Sequence, residues 1–362
     1  MKLHDSLSKY RSKVNFTEQH ETVPKNHNFL YYYNEKLTVR ERLPFKKCQF
    51  LEKVEILCGF DVEFHDCVFL KGFILSLNSN GNISFYNCFF EDEPFISELH
   101  PSHSHHLLRI DNCTFNENIS FKPQSLSHLQ ITNCKIKELT DIKNVYTLDI
   151  SGLKTRIGNL KLELKAQVKE AKFHSHCIIE RLSVIGGWRF NLALDYCQIN
   201  TLSINRGFDS ITANHLISNK IGFSHISFYE NRLPSSIKIS GGSEIDELEI
   251  SEYKASGEIF IGSSEIDNLK LKSINKNSSI VINRLSNLNY LSFEDIDCNV
   301  SLSEITIEQL SLRNCNFDFL KFGYIHWSRN FSLKSSNNSI DESDQYLELI
   351  ETSRQLKLYL KT

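Results

Sequence analysis

One six-residue pattern returns along this chain: an apolar residue, two variable residues, Cys, one variable residue, and a second apolar residue. It reads FKKCQF from Phe45, FHDCVF from Phe64, FYNCFF from Phe85, IDNCTF from Ile110 and ITNCKI from Ile131, at spacings of 19, 21, 25 and 21 residues. It returns as LDYCQI from Leu194 and LRNCNF from Leu312. A period near 21 means that one small supersecondary unit is copied and stacked, since such a unit cannot bury its apolar face alone. Length then stops predicting several globular domains, because a stack can run on as one.

Short alternating segments share the period. One series reads HLQI at His128, TLDI at Thr147, RLSV at Arg181, TLSI at Thr201, HISF at His225, ELEI at Glu247, NLKL at Asn268, YLSF at Tyr290 and QLSL at Gln309. A second, out of phase with it, reads SIKI at Ser236, EIFI at Glu258, SIVI at Ser279 and NVSL at Asn299. NISF, at Asn82 and at Asn118, looks like the same element in earlier coils. The stretch GNLKLELKAQVKEAKF, in the gap between Thr147 and Arg181, reads as irregular. Apolar residues at every second position turn one strand face inward. Neither series has a hairpin partner within its repeat, so equivalent strands stack in parallel from coil to coil. LSHLQITNCKI from Leu126 and IEQLSLRNCNF from Ile307 also fit a leucine-rich-repeat frame, which is the alternative solenoid. The returning half of each repeat is again β-like, with β-branched residues and no helical period, and that favours a β-helix.

The C-x-F step, the period near 20 and phrases such as CTFNENISF resemble divergent pentapeptide-repeat proteins over residues 45–335. That resemblance implies an all-β, right-handed parallel β-helix with four-sided coils; the family's A-(D/N)-L-x-x consensus is not repeated here. Pectate-lyase-like β-helices have a similar coil length, so the likeness bears on architecture rather than activity.

Residues 1–44 lie outside the repeat, carry eight basic against five acidic residues, and are expected to cap the first coil. From Asp341 the period changes. Tyr346, Ile350, Leu356 and Leu360 fall near one helical face, with acids early and bases late, so a C-terminal amphipathic helix over 336–362 is expected. The phrase SRQLKLYLK is similar to the helix that follows the β-helix in some bacterial pentapeptide-like membrane proteins, which implies that the helix continues beyond Thr362. The exposed stripe makes self-association or a protein partner the expected use of this helix.

A net charge of −3 provides neither a nucleic-acid-binding field nor its acidic mimic. The first residues hold no apolar core of a secretory signal, and no run of about 18 apolar residues spans a bilayer. Hydrophobic residues at 40% suffice for a continuous core. Cys48, Cys67, Cys88, Cys113, Cys134, Cys197 and Cys315 take one repeat position, without any C-x-x-C. They therefore read as a buried, reduced column in a cytoplasmic protein rather than as metal ligands or nucleophiles. Asn87, Asn112, Asn133 and Asn314 each precede one of these cysteines and suit side-chain ladders at turns.

His100, His103, His105 and His106 lie in the 25-residue repeat, on what reads as an enlarged loop, and are the candidate metal ligands. No Cys or carboxylate stands at a recognisable spacing from them, so no metal or cofactor is assigned. Carboxylates cluster at Asp61, Glu63 and Asp66, at Glu91 to Glu93, and at Glu294, Asp295 and Asp297, without the paired arrangement a glycosidase needs. No P-loop, Rossmann glycine pattern, G-x-S-x-G or H-E-x-x-H occurs, so no catalytic residue is assigned. Trp188 and Trp327, each beside an arginine, are candidate interface anchors together with the C-terminal stripe.

These features favour a non-catalytic interaction or scaffold protein of a bacterial cytoplasmic system. The alternatives are the soluble part of a membrane-coupled sensor or effector and a polysaccharide-processing β-helix enzyme. The partner and any small-molecule ligand are not specified by these residues.

Overall fold

A computed structural model of the chain describes residues 11–12, 31–33, 37–39, 44–58, 61–71, 73–77, 81–92, 95–96, 107–121, 126–142, 145–163, 170–186, 190–226, 236–316 and 320–336. All regular elements among them are β-strands. The chain divides into two compact units, 1–182 and 183–362, each a parallel β-solenoid with coils of about 21 residues. The helix expected over 336–362 lies outside the described residues, apart from Ser336, which ends the strand Ile325–Ser336.

In the first unit each coil supplies three strands to three parallel ladders. The first ladder runs through Pro44–Lys46, Val62–His65, Ile83–Tyr86, Leu107–Asp111, Leu126–Thr132, Val145–Ser151 and Glu170–His174. The second runs from Tyr31–Tyr33 through Cys48–Phe50, Val68–Phe69, Phe89–Phe90 and Thr114–Phe115 to the first residues of Lys135–Ile142 and Arg156–Glu163. The third runs from Leu37–Val39 through Val54–Cys58, Phe73–Leu77, Phe95–Ile96 and Ile119–Phe121 to the later residues of those two long strands. The exception to parallel pairing is Arg11–Ser12, which lies antiparallel to Tyr31–Tyr33. The four sides implied by the pentapeptide likeness are thus three ladders in this unit.

In its five first-unit copies the hexapeptide is the corner between the first two ladders. In all seven copies the residue before Cys has a left-handed backbone: Lys47, Asp66, Asn87, Asn112, Asn133, Tyr196 and Asn314, with φ from 49° to 54°. Asn and Asp tolerate that region better than most residues because their short polar side chains bond locally. The turn leaves the apolar residue on each side of it facing inward. Two phenylalanine stacks result. Phe45, Phe64 and Phe85 stack at 4.9 and 5.0 Å, and Phe50, Phe69, Phe90 and Phe115 at 4.7, 4.9 and 4.3 Å. The stacks meet edge-to-face, as in Phe64 and Phe69 at 5.4 Å and 69°. Identical rings repeated at the coil spacing, about 4.8 Å, satisfy both stacking and edge-on preferences.

In the second unit the ladders fuse into long bent strands, among them Asn191–Asn205, Ser210–Ser224, Glu258–Ile274 and Asn299–Arg313. Left-handed residues mark two corners per coil. His215, Ser263, Arg284 and Glu304 form one set; Arg206, His225, Glu252, Ser273, Asp295 and Asn314 form the other.

The registers correct several sequence expectations. TLSI pairs with Lys220–Phe223, then ELEI, NLKL, YLSF and QLSL, so His225, the first residue of HISF, is a corner rather than the start of that strand. HLQI and TLDI pair with each other in the first ladder of the first unit. NISF at Asn82 belongs to that ladder, whereas NISF at Asn118 lies in the third. The described part of that stretch, GNLKLE, is not irregular, because Arg156–Glu163 pairs with Lys135–Ile142. Cys197 and Cys315 occupy different corners: Cys197 pairs with Leu216, whereas Cys315 follows the strand in which Arg313 pairs with Glu294. The returning half of the coils is strand in both units, which removes the leucine-rich-repeat alternative for the described residues.

Candidate functional site

Cys48, Cys67, Cys88, Cys113, Cys134, Cys177, Cys197, Cys298 and Cys315 are buried thiols. Each corner thiol donates back across its left-handed residue: Cys67 Sγ to His65 O at 3.2 Å, Cys88 to Tyr86 O at 3.3 Å, Cys113 to Asp111 O at 3.2 Å and Cys134 to Thr132 O at 3.1 Å. In return, the amides of Cys88 and Cys113 donate to the thiols of Cys113 and Cys134 in the next coil, at 3.3 and 3.4 Å. In the second unit Ser264 Oγ makes the same bond to Gly262 O, at 3.0 Å. Burial, followed by the neighbouring thiols, pushes Cys88 well up, and burial pushes Cys298 up to about 12. Cys88 caps its corner through the bond to Tyr86 O, and burial makes Cys88 and Cys298 poor nucleophiles.

The asparagines before Cys form outer ladders. Asn87 Nδ2 donates to Asp66 Oδ1 at 2.5 Å, Asn112 Nδ2 to Asn87 Oδ1 at 3.1 Å, and Asn314 Nδ2 to Asp295 Oδ1 at 2.6 Å, while Asn133 Oδ1 accepts from Lys154 N at 3.4 Å. The clustered carboxylates are occupied in similar ways. Asp61 accepts from Asn82 N, Glu63 from His65, Glu91 from Asn116 and Asp297 from Asn316. Glu294 pairs with Lys272 and Arg313. In the second unit Lys270, then Lys220, donates to Glu247 and holds its carboxyl below the usual range. All of these but Glu63, whose partner His65 lies on its own strand, tie coils together.

A groove of about 380 Å³ lies on the first unit. Its sides are two outward columns that flank buried Phe115, Ile136 and Ile157: Lys135, Arg156 and Ile178 on one side, Asn116, Lys137, Gly158 and Glu180 on the other. Gly158 is where the chain closes on the coil before it. A Cβ there would stand 2.4 Å from Lys137 O, so only glycine fits, and no side chain fills the column between Lys137 and Glu180. The rim is basic. Lys137 pairs weakly with Glu117 at 3.7 Å, and Arg156 Nη1 donates to Leu153 O and Thr155 O, both at 2.9 Å. Such a surface can hold an anion. It presents no nucleophile and no general base beyond exposed Glu180.

Trp327 stands in register with Ile307, is half-buried and packs on Phe331 at 4.3 Å and Phe322 at 6.2 Å. Trp188, Tyr346, Ile350, Leu356, Leu360 and His100, His103, His105 and His106 lie outside the described residues. The four extra residues of the 25-residue repeat fall between Ile96 and Leu107. Leu75 to Ile83 spans eight positions, and their ladder partners Ile96 and Leu108 are twelve apart. Among the described residues no group of His, Cys, Asp and Glu could hold a metal ion, and no helix is long and apolar enough to cross a membrane.

Sequence reasoning missed Lys135, Lys137, Arg156, Gly158 and Ile178. Their signal was the period itself, because Lys135 and Arg156 are 21 residues apart, as are Lys137 and Gly158. Compared with known proteins, the chain matches no family model, no curated protein and no solved structure.

Proposed function

We propose that this chain is a non-catalytic interaction protein, a β-solenoid that offers a fixed surface to a protein partner in a bacterial cytoplasm. The observation that carries this reading is the basic groove of the first unit, where Lys135, Lys137 and Arg156 face a single carboxylate, Glu180. A rigid scaffold of stacked coils holds such a groove at little entropic cost, which is what a binding surface needs. A column of buried thiols suits a reducing compartment. Kinship with right-handed pentapeptide-repeat β-helices is part of the same proposal and rests on the C-x-F corner.

The test is reconstitution. A candidate partner co-purified with the chain is expressed separately, and the purified pair is expected to form a complex of defined stoichiometry by light scattering. The same preparation is expected to leave acidic and neutral polysaccharides unchanged. Reproducible turnover, lost on substituting Asp61, Glu63 or Asp66, would overturn the non-catalytic reading. Self-association belongs to the proposal through residues 336–362. Deleting 341–362 is expected to leave the β-type circular dichroism intact and lower the mass of any oligomer.

A further inference from the structure

We propose that the groove beside Gly158 is a receptor for an extended acidic segment of a protein partner, with Arg156 and Lys135 reading its carboxylates. This deepens the interaction reading and rests on it.

Charge complementarity sets the sign of the occupant. Three cations, Lys135, Lys137 and Arg156, line the groove against one carboxylate, Glu180. Preorganisation singles out Arg156. Its Nη1 bonds to Leu153 O and Thr155 O anchor the guanidinium to the turn before its own strand. A guanidinium has five N–H donors, and those on Nε and Nη2 form the edge that grips a carboxylate in two parallel bonds. Holding the group in place beforehand removes most of the entropy that a free arginine loses on binding. Lys135 is the register partner of Arg156 one coil away, about 4.8 Å along the stack, so two carboxylates on one extended chain can be met together.

Size and polarity set the class. The volume of about 380 Å³ admits a few side chains rather than a folded domain. Buried Phe115, Ile136 and Ile157 underlie it, and half-buried Ile178 extends the cationic column, so an apolar side chain next to the acids has a surface to rest on. The columns cross the strands. An occupant following them cannot add to a ladder edge and must be recognised through its side chains. An acidic stretch with interspersed apolar residues meets each of these conditions.

The experiment uses the full chain and a fluorescein-labelled pentapeptide alternating Glu and Leu, followed by anisotropy. Saturable binding that weakens steeply with salt is expected. Lys135→Glu is expected to weaken it at least about tenfold, and Arg156→Lys, which keeps the charge but loses the fork, by about tenfold as well. Lys172→Glu, whose parent side chain pairs with Glu170 outside the groove, should leave the affinity unchanged. Circular dichroism confirms that each variant is folded. The proposal falls if the peptide does not bind, if both groove variants bind as the parent does, if an alternating Lys and Leu peptide binds equally well, or if inorganic phosphate displaces the peptide at equal concentration. A reconstituted partner that still binds Lys135→Glu and Arg156→Lys removes the groove and leaves the interaction reading standing. Polysaccharide turnover with intact peptide binding does the reverse.

Discussion

At the scale of single residues, the corner decides most of the chemistry. Asn112 sits at φ 53° with its amide bonded to Asn87. Asn112→Gly keeps the backbone region and is expected to change stability by a few tenths of a kcal/mol, whereas Asn112→Ala should cost about 1 kcal/mol and Asn112→Val more. Urea denaturation distinguishes these, and equal loss in all three would show that the side-chain bond, rather than the backbone region, is what counts. The thiols give a pH prediction. Burial, then the charges of Asp297 and Cys315, holds Cys298 up at about 12. Below the ordinary thiol value, about 8.5, both folded and unfolded chains carry the neutral thiol, and this group adds nothing that varies with pH. Above it the unfolded chain ionises while the folded one stays protonated, so stability falls as pH rises from about 8.5 towards 12, by at most about 1.4 kcal/mol per pH unit for this group. In Cys298→Ser that share of the slope should vanish between pH 8 and 10, and an unchanged slope would refute the assignment. Thiol titration of the native chain should label few cysteines, since nine of the ten are buried.

At the scale of elements, stability comes from equivalent residues meeting in successive coils. Phe85 is fully buried, stacks on Phe64, and meets Phe69 and Phe90 edge-on at 5.8 and 5.3 Å. Phe85→Ala opens both stacks at once and should cost about 3–5 kcal/mol, with Phe85→Leu costing less because the volume is largely kept. A loss under 1 kcal/mol for the alanine variant would mean that the stacks are not the core of these coils. The sequence made this corner legible: seven hexapeptides put apolar residues at both ends, and all seven prove to be left-handed turns. What it did not resolve was which strand stacks on which. Alternation shows that a segment is extended and which face is buried, but TLDI, TLSI and SIKI alternate alike. Only the corners tell the ladders apart. In the second unit those corners fall on His215, Glu252 and Arg284, residue types that carry no turn signal. The same blindness hid Cys315 at a different corner from Cys197, because LRNCNF and LDYCQI match the same pattern.

At the scale of the whole molecule, the candidate site was the least legible part. A basic groove requires that Lys135, Arg156 and Gly158 be neighbours, and their adjacency follows from ladder register, which is a property of the stack rather than of any segment. The same property governs how the protein responds to damage. Nearly every pairing joins a strand to its equivalents in the adjacent coils, so stability is close to a sum of coil terms and nearest-neighbour interfaces. Destabilisation at one coil should then spread to its neighbours and fade, instead of unfolding everything together. Hydrogen exchange on Phe85→Ala tests this at peptide resolution. Amides of Val62–His65, Ile83–Tyr86 and Leu107–Asp111, which pair directly with the altered strand or belong to it, should lose protection first. Those of Glu258–Ile274 and Asn299–Arg313 in the second unit should exchange as in the parent chain. Protection lost to the same extent in both sets would mean that the chain unfolds as one cooperative body, and the nearest-neighbour description would have to be abandoned.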